Sequence, residues 1–95
     1  MNIQHELPGK KGTFFIEIDG KRLAEMVYNM ANPELMIIEH TEVDDALRGK
    51  NVGYQLVHAA VDFARANNIR IIPLCPFAKS VFDKKMDEFG DVLKK

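Results

Sequence analysis

At 95 residues the chain is sized for one domain, because so short a chain hides only about 60–65% of its unfolded surface and cannot divide that between two cores. Its apolar share of 46% and charged share of 28% are those of an ordinary globular protein, and no run approaches the roughly 20 apolar residues of a membrane span. Thirteen cations against 14 anions leave a net charge of −1, which excludes the broad basic field of a nucleic-acid or acidic-membrane binder, so any anion must be held locally.

Residues 1–11 show no hydrophobic period and read as a flexible N-terminus. They also lack the basic-then-apolar pattern of a signal peptide, and the single cysteine, Cys75, allows no internal disulfide, so a reducing cytoplasm is the expected compartment. Thr13 to Ile18 is β-branched and aromatic and predicts a strand, which Asp19-Gly20 turns back as a hairpin because both positions tolerate positive φ. The return strand, Arg22 to Met30, places Ala24, Met26, Tyr28 and Met30 on one face as packing residues. Asn32-Pro33 breaks it, and Glu34 to Val43 makes a third strand, completing an antiparallel meander.

The period changes at Val52. Val52, Leu56, Ala59, Ala60, Phe63 and Ala64 recur at three and four residues, with Tyr54, His58, Asp62 and Arg65 on the other side, so an amphipathic helix runs to Asn67-Asn68. Ile69 to Leu74 is a short buried strand, and Phe77 to about Glu88 a last helix with Val81, Phe82 and Met86 inward. Residues 34–74 therefore form a βαβ unit with parallel strands and a right-handed crossover. The fold class is α/β (α+β): a meander, a βαβ unit and a C-terminal helix in one domain over 1–95. Ligands of such units sit beyond the carboxyl ends of the strands, where His40 to Val43 and Leu74 to Pro76 arrive.

Between strand and helix lies "RGKNVG", Arg48 to Gly53. A helix N-terminus presents amides without intrahelical partners and a fractional positive charge, which suits a phosphate. Gly49 and Gly53 give clearance, Asn51 readily adopts the left-handed conformation, and Arg48 and Lys50 add charge. Two readings are open on these residues alone, an anion site or a plain helix start with two solvated cations.

The stretch "VDDALRGKNVGYQLVHAAVDFARANNIRIIPLCPF" resembles the acyl-CoA-binding motif of the GNAT superfamily of N-acetyltransferases, Q/R-x-x-G-x-G/A, within a similarity that spans about residues 13–80. It is most similar to a small single-domain branch with an "HT-x-V" strand end, an "RG-x-G-x-G" turn and an "IIP-x-C" strand. Arg48 falls on the Q/R position and Gly53 on the final G/A, while Asn51 replaces the usual middle glycine. The resemblance implies acetyl-CoA as cofactor, with the amides of Arg48, Gly49, Lys50, Asn51, Val52 and Gly53 cradling its pyrophosphate and Glu42 and Val43 meeting the pantetheine arm as an added strand would.

Acetyl transfer to an amine needs a base for the ammonium and an acid for the departing thiolate. His40 is the candidate base, because an imidazole is the side chain suited to moving protons near neutral pH. Cys75 precedes Pro76 and a helix start, where a thiol pKa falls. The resemblance implies that this cysteine lies by the thioester, accepting the acyl group or reprotonating CoA. Parallel neighbours lie about 4.8 Å apart, so His40 and Cys75 pair if both face one way, which sequence leaves open. Lys79, Lys84 and Lys85, interleaved with Asp83, Asp87 and Glu88, read as a solvated face without a role. Phe77 reads as core or as a cover for the pantetheine. His5 and His58 have no partner at ligand spacing, so no metal site is expected.

The expected function is an acyl-CoA-dependent N-acetyltransferase. Its direct Asp19-Gly20 connection leaves no extra helices to enclose an acceptor, which favours a protein lysine, an N-terminus or a polyamine. Two alternatives are a non-catalytic CoA-binding module and a structural domain that pairs through the edge of the meander.

Overall fold

Five strands, β1 (Gln4–Glu6), β2 (Lys11–Ile18), β3 (Lys21–Asn32), β4 (Leu35–Val43) and β5 (Arg70–Pro73), lie side by side in chain order in the computed structural model, which describes residues 2–94. β1 to β4 pair antiparallel, and β5 pairs parallel to β4, from Leu35 opposite Arg70 to Ile38 opposite Pro73. Asp19 and Gly20 turn β2 into β3 at φ 52° and 80°, the left-handed pair that a two-residue hairpin needs. The helix α1 (Val52–Ala66) connects β4 to β5, and α2 (Pro76–Lys84) and α3 (Met86–Phe89) follow.

Alternation sets the core. Phe14, Ile16, Ala24, Met26, Tyr28, Met36 and Ile38 meet Leu56, Val57, Ala60, Val61 and Ala64 of α1, all buried, and each such aliphatic side chain contributes about 1.5–3 kcal/mol on burial. The inward face of α1 thus includes Val57 and Val61, while Ala59 and Phe63 are half-buried. Helix propensity does not stop the last helix at Glu88 as a single piece. Lys85 leaves helical geometry at φ −120° and ψ 33°, its amide reaching both Val81 and Phe82 carbonyls, and the phase changes there. As a result Met86, expected inward, is 52% exposed, and Phe89 and Val92 fill the core instead.

The stretch 1–11, expected to be flexible, contains β1 and the first residue of β2. What holds β1 is His5: its ring stacks on Phe14 with centroids 4.0 Å apart, meets the edge of Phe63 at 4.6 Å, and its Nε2 hydrogen-bonds the Tyr28 hydroxyl. Tyr28 is fully buried, its ring filling the space where a Cβ on Gly12 would stand, so His5 satisfies a hydroxyl that burial would otherwise strand. Arg22 adds an ion pair to Glu6 at 2.7 Å. β1 also covers the Thr13–Phe15 stretch of the meander edge that was a candidate pairing surface.

Burial lowers the pKa of His5 and raises that of Tyr28 to about 12, so both stay neutral around pH 7. Because folded His5 binds its proton less readily than the unfolded side chain, its contribution is complete above the ordinary value near 6.5 and is lost as pH falls below it. Thermal melts at pH 7.5 and 5.5 should show a drop in Tm on acidification that His5→Gln diminishes.

Candidate active site

The site is created where β4 and β5 separate. Val27 pairs with His40 and Tyr28 with Ile38, which leaves Glu39 as an extra residue in β4, a bulge that bends the strand. On the other side pairing stops at Ile38, whose carbonyl accepts both the Leu74 amide at 3.0 Å and the Cys75 amide at 3.2 Å. From Glu39 to Val43, β4 is bound to β3 alone, so its β5-side edge is free for an added strand.

The bulge also inverts parity. Counting by twos from buried Met36 and Ile38 sends His40 and Glu42 inward, but the observed register sets Thr41 opposite Met26 and Val43 opposite Ala24, on the helix face. His40 and Glu42 therefore face the open side, where His40 Nε2 meets Glu42 Oε1 at 2.9 Å with both side chains largely exposed. The His40 and Cys75 pair is not formed. Thr41 takes that place, with its Oγ1 3.5 Å from Cys75 Sγ.

Cys75 is the N-cap of α2, only 6% exposed, with Pro76 next so that the first free amides are those of Phe77 and Ala78. Burial pushes its thiol up, but the Thr41 hydroxyl and then the backbone amides of Ala78, Phe77 and Thr41 favour the thiolate, and the net value lies below that of an ordinary cysteine.

Leu47 ends a short 3-10 turn, Asp45–Leu47, capped by the Asp44 carboxylate, which accepts from the Ala46 amide at 2.9 Å. Next come Gly49 at φ 81° and Asn51 at φ 60°, so the left-handed reading of Asn51 matches the backbone. The Asn51 side chain makes no cap bond, and Gln55 is the first residue of α1 whose amide closes a turn, onto the Asn51 carbonyl at 3.2 Å. The amides of Val52, Gly53 and Tyr54 are thus left without helical partners. They border a cleft of 340 Å³.

Val43, Arg48, Gly49, Asn51, Val52 and Gly53, all expected at the site, line this cleft together. Glu42 and Lys50 do not; the Glu42 side chain is on the open face, and the Lys50 carbonyl accepts from Gln55 Nε2 at 3.1 Å. Arg48 lines the cleft but is paired with Asp45 at 2.8 Å. The opposite wall is α2: Phe77, Ser80, Val81 and Lys84 recur at helical spacing, with Lys85 beyond. Lys84 and Lys85, read as solvated, thus belong to the cleft, whereas Lys79 does not line it. Thr41, Ser80 and the two lysines carry no motif of their own. Only the bulge and the path of α2 bring them to the site.

Gly53 serves a purpose besides clearance for a ligand: a Cβ there would collide with the Phe77 ring, which is 42% exposed and lies across the first turn of α1.

These residues correspond to a known family. The family model described as GCN5-related N-acetyl-transferase matches residues 13–92. The solution structure of a GCN5-like protein from Staphylococcus aureus is 34% identical, with a TM-score of 0.71 over 98% of this chain and 89% of that one. Protein NATD1 of Gallus gallus is 30% identical over 74 residues, 77% of this chain and 67% of that protein. The chain spans about two thirds of the length of the curated relatives it matches. A ribosomal-protein-alanine N-acetyltransferase from Brucella melitensis shares the fold at 15% identity, with a TM-score of 0.65 over 79% of this chain and 62% of that one. The chain belongs to the GCN5-related N-acetyltransferase family. It is an acetyltransferase domain, and its cofactor is acetyl-CoA, in keeping with neighbours of the same fold crystallised with CoA or a CoA conjugate.

The cleft fits such a group on its own chemistry. Among the described residues no carboxylate lines it, the first-turn amides of α1 border it without helical partners, and its apolar wall of Val43, Leu47, Val52, Phe77 and Val81 suits an uncharged arm.

Gly53→Ala should force Phe77 aside, costing about 1 kcal/mol of stability and weakening CoA binding in calorimetry. Adding Phe77→Ala should recover the stability. Thr41→Val should move the pH profile of Cys75 alkylation by iodoacetamide to higher pH, and Thr41→Ser should restore it. A hydroxyl that only fills space would leave the profile unmoved.

Proposed function

We propose that this chain transfers the acetyl group of acetyl-CoA to an exposed primary amine, that of a protein lysine or a polyamine, through Cys75. The observation that carries the reading is the continuity of the site: unpaired helix amides at one end, the free edge of β4 in the middle, and a thiol biased toward its thiolate at the other.

In this reading the amides of Gly49 and of Asn51 to Gly53 hold the pyrophosphate, those of Arg48 and Lys50 being bonded to the Asp45 and Leu47 carbonyls; the Arg48 and Lys50 side chains add charge, and the backbone of Glu42 and Val43 lies along the pantetheine. Acetyl-CoA, when bound, supplies an activated thioester carbonyl. Cys75 Sγ, as thiolate, would take the acetyl group at its carbonyl carbon as the bond to the CoA sulfur breaks and CoA leaves as a thiolate; the neutral amine would then take the acetyl group from Sγ, its surplus N–H proton going to the departed CoA thiolate or to solvent as the Cys75 thiolate returns. Thr41 Oγ1, 3.5 Å from Sγ, would donate to the thiolate before it takes the acetyl group and again when the amide is released. His40 lies across the strand from Cys75, so it serves an amine that arrives over the open face at the free edge of β4. With Nε2–H donating to Glu42, its Nδ1 holds the lone pair that takes the ammonium proton.

An open acceptor side is supported by the direct β2–β3 turn and by Glu25 and Glu42, which stand opposite each other on that face. Like charges in register disfavour pairing, and a cationic amine offsets their repulsion.

Peptide mapping after incubation with acetyl-CoA should find an acetyl adduct on Cys75, absent from Cys75→Ala, and that variant should lose transfer to spermidine or a lysine peptide. His40→Gln should lower kcat by roughly 10²-fold near neutral pH, with the deficit shrinking as pH rises and the amine deprotonates unaided. Full turnover by Cys75→Ala would sink the covalent route.

A further inference from the structure

We infer that Lys84 and Lys85 recognise the 3′-phosphate of CoA and so select CoA over its 3′-dephospho form. The inference rests on the phosphate-binding turn proposed above. Three cations line the cleft, Arg48, Lys84 and Lys85. Arg48 is paired with Asp45 and sits beside the turn itself, whereas neither lysine takes part in an ion pair among the described residues.

Their position follows from α2. The helix follows its N-cap Cys75, and its nine residues advance about 13 Å to Lys84, so the two ammonium groups stand at the opposite end of α2 from the thiol, on the wall that Phe77, Ser80 and Val81 present to the cleft. The break at Lys85 turns that side chain toward α1, and its Nζ lies 5.5 Å over the ring of Tyr54, in the first turn that bears the unpaired amides. Tyr54 is itself held, its hydroxyl donating to Glu88 Oε2 at 2.9 Å.

Charge decides which phosphate the lysines serve. The diphosphate has the α1 amides and helix dipole, which need no side chain. A phosphomonoester carries about −1.5 to −2 at neutral pH and has three acceptor oxygens, a match for two adjacent ammonium groups in a cleft without carboxylates. Both lysines are exposed, so the attraction is modest and screened by salt.

Calorimetric titration of the full chain with CoA and with 3′-dephospho-CoA tests this. The unaltered protein should bind CoA roughly three- to tenfold more tightly, with a preference that shrinks as salt rises. Lys84→Gln/Lys85→Gln should abolish the preference and leave the Kd for 3′-dephospho-CoA unchanged, which also reports that the variant is folded. Lys79→Gln, on the same helix but off the cleft, should change neither. Equal affinities in the unaltered protein, a preference that survives the double substitution, or an equal loss for both ligands overturns the inference while leaving the turn in place. Failure of both ligands to bind the unaltered protein removes the turn as well.

Discussion

Ile38 is the last residue of β4 held on both sides, and the rest of the site depends on what happens immediately after it. Its carbonyl receives the amides of Leu74 and Cys75 together, which ends the parallel ladder and swings the chain out into α2. The bulge at Glu39 bends β4 in the same place. Two strands that were neighbours thereby open into a gap with one backbone edge unpaired. Parallel strands usually close such an edge, since unmatched amides and carbonyls are costly away from water, so an edge left bare next to a thiol is a place for a ligand's own amides.

The same bulge explains how much of this could be read beforehand. The meander, the Asp19-Gly20 turn, the βαβ unit and the left-handed Asn51 were legible because each is a local matter of alternation, helical period or permitted φ. Which face His40 occupies is not local. It depends on one uncounted residue, and a single insertion in a strand reverses every side chain beyond it. Thr41 was hidden by the same shift. Met86 left the inward face for a related reason, since a break at Lys85 resets the helical phase and brings Phe89 to the core instead. His5 could not be placed from its own surroundings, because its partners Phe14, Tyr28 and Phe63 come from β2, β3 and α1.

Side chains around the cleft serve packing and binding together. Gly53 lets Phe77 lie against α1, Tyr54 supports Lys85 from below, and Cys75 stands at the N-cap of α2 with its thiol against Thr41. α2 is thereby joined to the start of α1 by contacts that also shape the ligand wall. A substitution in one helix is therefore felt in the other, and stability and affinity cannot be separated by changing a single residue there.

Sheets of this size also face the problem of their outer rims. β5 is bordered by Leu93, bridged in parallel to Ile71, and the Lys94 amide reaches the Ile71 carbonyl at 2.9 Å. At the far side β1 shields Thr13 to Phe15, and beyond it the rim from Ile16 to Ile18 is kinked by a register shift and carries Glu17. A short, bent, charged rim is a poor template for a second molecule's strand. The chain thus keeps the β4 seam open for its ligand, while the outer edge of β1 is only three residues long and the rim of β2 is bent, which discourages stacking into fibrils.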